Sequence, residues 1–168
     1  MNVSFKNTPV KLVGAFPKIG DIAADFRMAK SDLGDLTLKS LRGGRAVMNV
    51  FPSLDTPVCA MSVRRFNKIA ADTGAKVLCI SKDSPFALSR FCVAENINNA
   101  LALSDCRYGS RFGESYGVHI TGGALDGLLS RAVFVVEPDG SISYAALSPE
   151  IAEEPDYAGI LAFLWSGK

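Results

Sequence analysis

Ala46-Val47-Met48-Asn49-Val50-Phe51-Pro52-Ser53-Leu54-Asp55-Thr56-Pro57-Val58-Cys59 leads into Ala60-Met61-Ser62-Val63-Arg64-Arg65-Phe66-Asn67-Lys68-Ile69-Ala70. The apolar run Ala46–Val50 reads as a buried strand. Thr56 stands where a helix N-cap belongs. Pro57 takes the first helical position, where its missing N–H would be unpaired in any case. A helix from Pro57 to about Thr73 follows, with Gly74 as its stop signal and Ala60, Val63, Phe66, Asn67 and Ala70 along its packing face. Cys59 therefore falls in the first turn. Unpaired backbone N–H groups and the helix dipole favour negative charge there, and hence the thiolate, the reactive form of cysteine.

The same unit recurs downstream. Lys76–Ser81 is a second buried strand. Ser84-Pro85 repeats the cap-then-proline signature and opens a helix over about 85–95 that carries Phe91-Cys92. Residues 100–103 form a third, shorter strand, 108–116 a short helix stopped by Gly117, and 122–127 a flexible loop. Strands 131–136 and 141–147 flank the turn Glu137-Pro138-Asp139-Gly140 and form a hairpin. An acidic loop over 149–155 precedes a terminal amphipathic helix, 157–165. Upstream, Val3–Phe5 and Thr8–Val13 flank Lys6-Asn7 as a hairpin; 14–25 is loop, 26–29 a short strand, and 36–41 fits no single period. Strands alternating with helices, then a hairpin and a last helix, argue an α/β fold. The expected sheet is mostly parallel with an antiparallel edge, covered on both faces. No repeat, low-complexity segment or linker interrupts it, so residues 1–168 read as one domain.

A chain of 168 residues has ordinary single-domain size and can bury a full core. Lys plus Arg number 18 against 17 Asp plus Glu, so no global field recruits nucleic acid or an anionic membrane surface. No apolar run approaches the roughly 18 residues of a spanning helix. Met1-Asn2-Val3-Ser4-Phe5-Lys6 lacks the basic start and long apolar region of a secretory signal. The expected location is cytoplasmic, with no membrane and no nucleic-acid partner.

The cysteines are Cys59, Cys79, Cys92 and Cys106, too widely spaced for a disulfide-stapled scaffold and without a CxxC pair. With His119 as the sole histidine, they do not make the close ligand pairs of structural zinc. Cys79, between Leu78 and Ile80, reads as a core thiol. Cys106, in Asp105-Cys106-Arg107, reads as a loop thiol, incidental or mildly reactive. Cys59 is set apart by its helix start and by Thr56, whose hydroxyl can donate to a thiolate and accept from an incoming O–H. Arg131 reads two ways: a solvated charge at a strand end, or a fixed positive fork that stabilises a thiolate and polarises an oxygen substrate. His119 reads as a structural or surface histidine; only spacing speaks for a Cys-His protease dyad.

Pro52-Ser53-Leu54-Asp55-Thr56-Pro57-Val58-Cys59 resembles the Pro-x-x-x-Thr-x-x-Cys signature of peroxiredoxins. Ser89-Arg90-Phe91-Cys92 and Glu154-Pro155-Asp156-Tyr157 resemble the bacterial thiol peroxidases, the atypical 2-Cys subfamily. Similarity runs over nearly the whole chain, through Val77-Leu78-Cys79-Ile80-Ser81 and Arg131-Ala132-Val133. The resemblance implies a thioredoxin-like fold, with a central mixed sheet, helices on both faces and an N-terminal hairpin, in a homodimer. It implies that Cys59 is the peroxidatic cysteine and Cys92 the resolving cysteine of the same subunit. Thr56, Pro52 and Arg131 complete the implied site; Cys79 is dispensable and Cys106 unassigned.

The implied chemistry is attack of the Cys59 thiolate on hydrogen peroxide or an organic hydroperoxide, giving a sulfenic acid and water or an alcohol. Cys92 then condenses to a disulfide, which thioredoxin reduces by exchange. No metal, haem or flavin is required. The alternative is a peroxide-sensing switch without turnover. A general thiol–disulfide oxidoreductase normally carries the missing CxxC, and a binding module gives no reason for Pro52, Thr56 and Cys59 together. The two cysteine-bearing helices are expected on opposite faces of the sheet, beyond the roughly 7 Å Cα limit for bridging, so that the Cys92 helix partly unwinds in each turnover. Apolar loops over 120–130 and in the 140s favour alkyl substrates.

Overall fold

A computed structural model describes residues 3–166; Met1, Asn2, Gly167 and Lys168, which the one-domain and signal expectations include, lie outside the described residues. The strands are β1 (Val3–Phe5), β2 (Thr8–Val13), β3 (Arg27–Lys30), β4 (Asp35–Thr37), β5 (Ala46–Val50), β6 (Lys76–Ser81), β7 (Ala100–Ser104), β8 (His119–Thr121), β9 (Ala132–Val136) and β10 (Ile142–Leu147). The helices are α1 (Pro57–Thr73), α2 (Pro85–Ala94), α3 (Phe112–Ser115) and α4 (Tyr157–Ser166), with short 3-10 turns at Leu38–Leu41 and Gly123–Leu125.

The main sheet runs β10-β9-β5-β6-β7-β3-β4. Its middle is parallel: Ala46 to Val50 face Lys76 to Ile80, and Val77 to Ser81 face Ala100 to Ser104. Every other pairing is antiparallel. The expectation of a mostly parallel sheet is thus corrected. Only β5, β6 and β7 are joined by helical crossovers, which parallel neighbours require. The β9–β10 hairpin extends one flank and β3–β4 the other. A second sheet, β1-β2-β8, carries the N-terminal hairpin. The turn residues Lys6 and Asn7 both have positive φ, 50° and 64°, the backbone of a tight hairpin turn. Strands β4 and β8 were not legible in the sequence pattern.

Side chains of the main sheet alternate between two cores, as the pleat requires. Met48, Val50, Leu78, Ile80 and Phe134 face a core closed by Phe26, Leu41, Phe112 and Tyr116, so α3, a 3-10 turn and the 14–26 arm cover that side. Val47, Val77, Cys79, Val133 and Val135 face a core closed by Val63 and Phe66 of α1, Leu88 of α2, and Ile160 and Leu164 of α4. Helices α1 and α2 therefore lie on the same face, which corrects the opposite-face expectation. Crossovers of one hand that step in one direction, β5 to β6 to β7, stack their helices on one side.

Two side-chain links tie α1 to its neighbours. Arg64 of α1 makes a forked ion pair with Glu95 at the C-cap of α2, both N–H···O distances being 2.8 Å. The carboxamide oxygen of Asn67 accepts from the Asn99 and Ala100 amides and fixes the start of β7. Helix α1 ends as foreseen, on Gly74 with φ 71° and its N–H bonded to the Ala70 carbonyl. No helix among the described residues is long and apolar enough to cross a membrane.

Candidate active site

Cys59 is the third residue of α1, set at the C-terminal end of β5, and is 1% exposed. Arg131, just before β9 and also 1% exposed, donates from Nη2 to its Sγ at 3.2 Å. Arg131 Nε donates to the Ile151 carbonyl at 3.0 Å, while the buried Nη1 has no partner among the described residues. Burying a guanidinium is costly unless its donors are satisfied. Here the partners are a carbonyl and a sulfur, and one donor stays free. Arg131 is therefore not a solvated strand-end charge: it is buried with its fork on the Cys59 sulfur.

Thr56 has the extended backbone of an N-cap, φ −111° and ψ 142°, but its side chain does not cap α1. Its hydroxyl donates instead to the Ser53 carbonyl at 3.1 Å. The proton that was to reach the thiolate is thereby engaged, and the oxygen keeps its lone pairs for an incoming O–H. Pro52 is buried at the base of the same loop.

Below Cys59, its carbonyl accepts from the buried Ser62 hydroxyl at 2.9 Å, and Asn49 Nδ2 reaches Ser62 Oγ at 3.3 Å. Beside the loop, the Asp83 carboxylate accepts from the Ser53 hydroxyl at 2.7 Å and the Leu54 N–H at 2.8 Å. Sequence reasoning passed over Asn49, Ser62 and Asp83. The pair Ser81-x-Asp83 ahead of a helix cap was the only local sign of the last.

Cys59 opens into a cavity of about 210 Å³ walled by Phe5 and Lys6 of the N-terminal hairpin, Pro52, Thr56, Pro57, Val58, Leu125, Arg131, Ile151 and Ala152. Leu125 comes from the loop expected to meet substrate. The 140s do not: Tyr144, Ala146, Leu147 and Ser148 line a separate cleft. Glu150 fastens the two walls together. Its carboxylate accepts from the Ala152, Lys6 and Asn7 amides and the Ser4 hydroxyl, at 2.9, 2.9, 3.1 and 2.8 Å. These bonds, Ala152 foremost, hold its pKa down from 4.5 to about 2. A larger cavity of about 600 Å³, lined by Arg27, Tyr108 and Phe112 among others, contains no cysteine. Its arginines are engaged, Arg27 and Arg107 with Asp35, and Arg111 with Glu114.

All four cysteines are free thiols. Cys79 is buried in β6 beside Asn49, and burial pushes its thiol up to about 12. Cys92 is half-buried on the inward face of α2, packs against the same core as Cys59, and is also raised by burial. It lies two turns into α2, about 10 Å along the axis at about 1.5 Å per residue. Cys106 is exposed, as expected of a loop thiol. His119 sits in β8 opposite Val13, away from the cavity walls. Glu154-Pro155-Asp156-Tyr157 leads into α4, whose first residue is Tyr157. Asp156 accepts from the Gly159 amide at 2.9 Å, and the Tyr157 ring packs edge-on against Phe66 of α1 with centroids 5.8 Å apart.

Residues 18–161 match the Redoxin family. The thiol peroxidase of Mycobacterium tuberculosis (strain H37Rv) is 46% identical over 162 residues, which covers 96% of this chain and 97% of that one. That of Corynebacterium glutamicum is 46% identical over 161 residues, 95% and 96% of the two chains. This chain belongs to the thiol peroxidase family. As a thiol peroxidase it is an antioxidant enzyme that carries out thiol-dependent reduction of peroxides. Its fold agrees: a crystal structure of a peroxiredoxin-like protein from Aquifex aeolicus superposes with a TM-score of 0.92 at 41% identity, covering 98% of this chain and 96% of that one. The thioredoxin-like frame and N-terminal hairpin expected of a thiol peroxidase are both present.

Proposed function

We propose that Cys59 is the peroxidatic thiol and that Arg131, Thr56 and Pro52 make up its site. The observation that carries this is the 3.2 Å contact between a buried guanidinium and a buried sulfur, in an arginine that lines the cavity and whose buried Nη1 has no partner among the described residues. The fork holds that sulfur by a charge-assisted hydrogen bond and fixes its direction of approach. The free donor can hold the leaving oxygen of a hydroperoxide as charge develops on it. The Thr56 oxygen accepts a hydrogen bond from the hydroperoxide O–H, and Pro52 keeps water off the sulfur. Sulfur attacks the terminal oxygen, which keeps its hydrogen; the O–O bond breaks, and the departing oxygen takes from solvent the proton that Cys59 gave up on ionising and leaves as water or alcohol. Cys59 is left as a sulfenic acid.

Cys92 then attacks that sulfur, expels water and forms the Cys59–Cys92 disulfide. Cys59 sits in the first turn of α1 and Cys92 two turns inside α2, both as free thiols, and α2 opens to bring the two sulfurs to bonding distance. A dithiol partner of the thioredoxin class reduces the disulfide by exchange and completes the cycle. The cycle needs a reducing compartment, hence the cytoplasm, and the same proposal includes one domain over residues 1–168 and a homodimer.

Phe5, Leu125, Ile151 and Ala152 present carbon surface to the cavity, which suits an organic hydroperoxide as well as hydrogen peroxide. A thioredoxin-coupled assay with hydrogen peroxide and cumene hydroperoxide tests these roles. Wild type turns over both. The Cys92→Ser protein consumes about one equivalent of peroxide and stops; sustained recycling in that variant rules out Cys92 as the resolving thiol.

A further inference from the structure

We infer that Asp83 is a positioning residue for the reaction at Cys59, acting by holding the loop from Phe51 to Thr56 in place. The inference rests on the proposed role of Cys59. That loop belongs to no strand or helix, yet it carries Pro52 and Thr56 and aims the chain into α1. Something outside it must fix it.

The Asp83 carboxylate is at the centre of what does. One oxygen accepts from the Ser53 hydroxyl at 2.7 Å, and the other from the Leu54 amide at 2.8 Å and the Ser81 hydroxyl at 2.7 Å. The residue is itself held, since its amide donates to Ser81 Oγ at 3.2 Å and its carbonyl accepts from the Ser104 hydroxyl at 2.5 Å. These anchors sit at the ends of β6 and β7, so the loop is referenced to the rigid parallel centre of the sheet.

Ser53 passes the constraint on. Its hydroxyl binds Asp83, and its carbonyl accepts the Thr56 hydroxyl at 3.1 Å. Displacing Ser53 therefore moves both Pro52, its neighbour, and the Thr56 oxygen relative to Cys59. A carboxylate suits this post because it only accepts, and three donors converge on it. An asparagine of the same shape turns an NH2 either toward Ser53, whose hydroxyl must then accept where it donated, or toward the Leu54 amide, which loses its acceptor. Misplacement of a reacting group by about 1 Å costs on the order of 100-fold in rate.

Stopped-flow oxidation of the reduced protein by hydrogen peroxide, in single turnover, isolates this step. Asp83→Asn is expected to slow it by about 10- to 100-fold. Ser53→Ala, which removes one contact and leaves the charge, is expected to slow it by about 5-fold. The thioredoxin-limited rate stays at the wild-type value in both, because disulfide exchange does not use the loop. Combining the two substitutions adds nothing to Asp83→Asn alone, since Ser53 acts through Asp83. Wild-type oxidation rates in Ser53→Ala and Asp83→Asn, or strictly multiplicative losses in the double variant, overturn the role of Asp83. Should Asp83→Asn lose its fold by circular dichroism, an unslowed Ser53→Ala overturns it alone. Cys59→Ser serves as the control: its inertness keeps the underlying proposal standing, and full activity in it overturns that proposal and this one together.

Discussion

Arg131 is the side chain whose removal ought to discriminate most sharply between chemistry and packing. Lysine at this position keeps a charge but presents a single rotatable ammonium, so it cannot reach the Ile151 carbonyl, Cys59 Sγ and a substrate oxygen at once. Arg131→Lys is expected to lower kcat/KM for peroxide by about 100-fold or more, the usual loss when a transition-state donor goes. A near-wild-type value by stopped flow rejects that role. The sequence motif was enough to single out Cys59, Thr56 and Pro52 as candidates, because they share eight consecutive residues. Arg131 stood open between two readings, since nothing beside it in sequence tells whether a residue far along the chain will bury it against a sulfur. From sequence, the Thr56 hydroxyl is expected to cap α1, to donate to the thiolate and to accept from an incoming O–H. It goes to Ser53 instead because the tight turn at 53–56 brings that carbonyl within reach first. Asp83 was invisible for a related reason: its donors come from two separate segments.

Among the elements, the N-terminal hairpin and helix α1 make contrasting cases. The hairpin reaches the cavity through Phe5 and Lys6, and Glu150 fastens it there. The folded pKa of Glu150, about 2, lies below the ordinary 4.5, so its contribution is complete above pH 4.5 and is lost as pH falls toward 2. Exchange of the β1 and β2 amides, corrected for intrinsic rates, is therefore expected to quicken over that window in wild type. In Glu150→Gln it is expected to be fast throughout, with a raised KM for cumene hydroperoxide. Matching acid profiles in the two proteins argue against the clasp.

Helix α1 relies instead on burial. Phe66 is fully buried and meets Tyr157 edge-on, so Phe66→Ala is expected to cost about 3–5 kcal/mol. A shifted urea midpoint at constant slope is the readout, and a loss under about 1 kcal/mol contradicts the packing assigned to it. Both elements were legible in sequence, α1 from its proline start and glycine stop, the hairpin from Lys6-Asn7. Strand β8 was not: His119-Ile120-Thr121 has one inward apolar residue and becomes a strand only by pairing with β2.

Across the whole molecule, the apolar runs β5, β6 and β7 were readable because strands buried on both faces leave no polar alternation. Which face their helices take depends on the order of strands in the sheet, and local patterns do not carry that. Placing α1 and α2 together changes the conformational problem. In the proposed cycle Cys92 need not cross the sheet: α2 loosens on the face it shares with α1, where its buried residues are Pro85 and Leu88. Oxidation is expected to raise amide exchange over residues 88–95 by at least 10-fold while β5, β6 and β7 stay protected. Unchanged protection in α2 contradicts an opening helix. The most direct measurement is peptide mapping by mass spectrometry after one equivalent of peroxide is added to the reduced protein under non-reducing conditions. The proposed cycle yields a single intrasubunit disulfide joining the Cys59 and Cys92 peptides, with Cys79 and Cys106 still as thiols. A disulfide that omits Cys59, or Cys59 recovered as an unmodified thiol while peroxide is consumed, contradicts it.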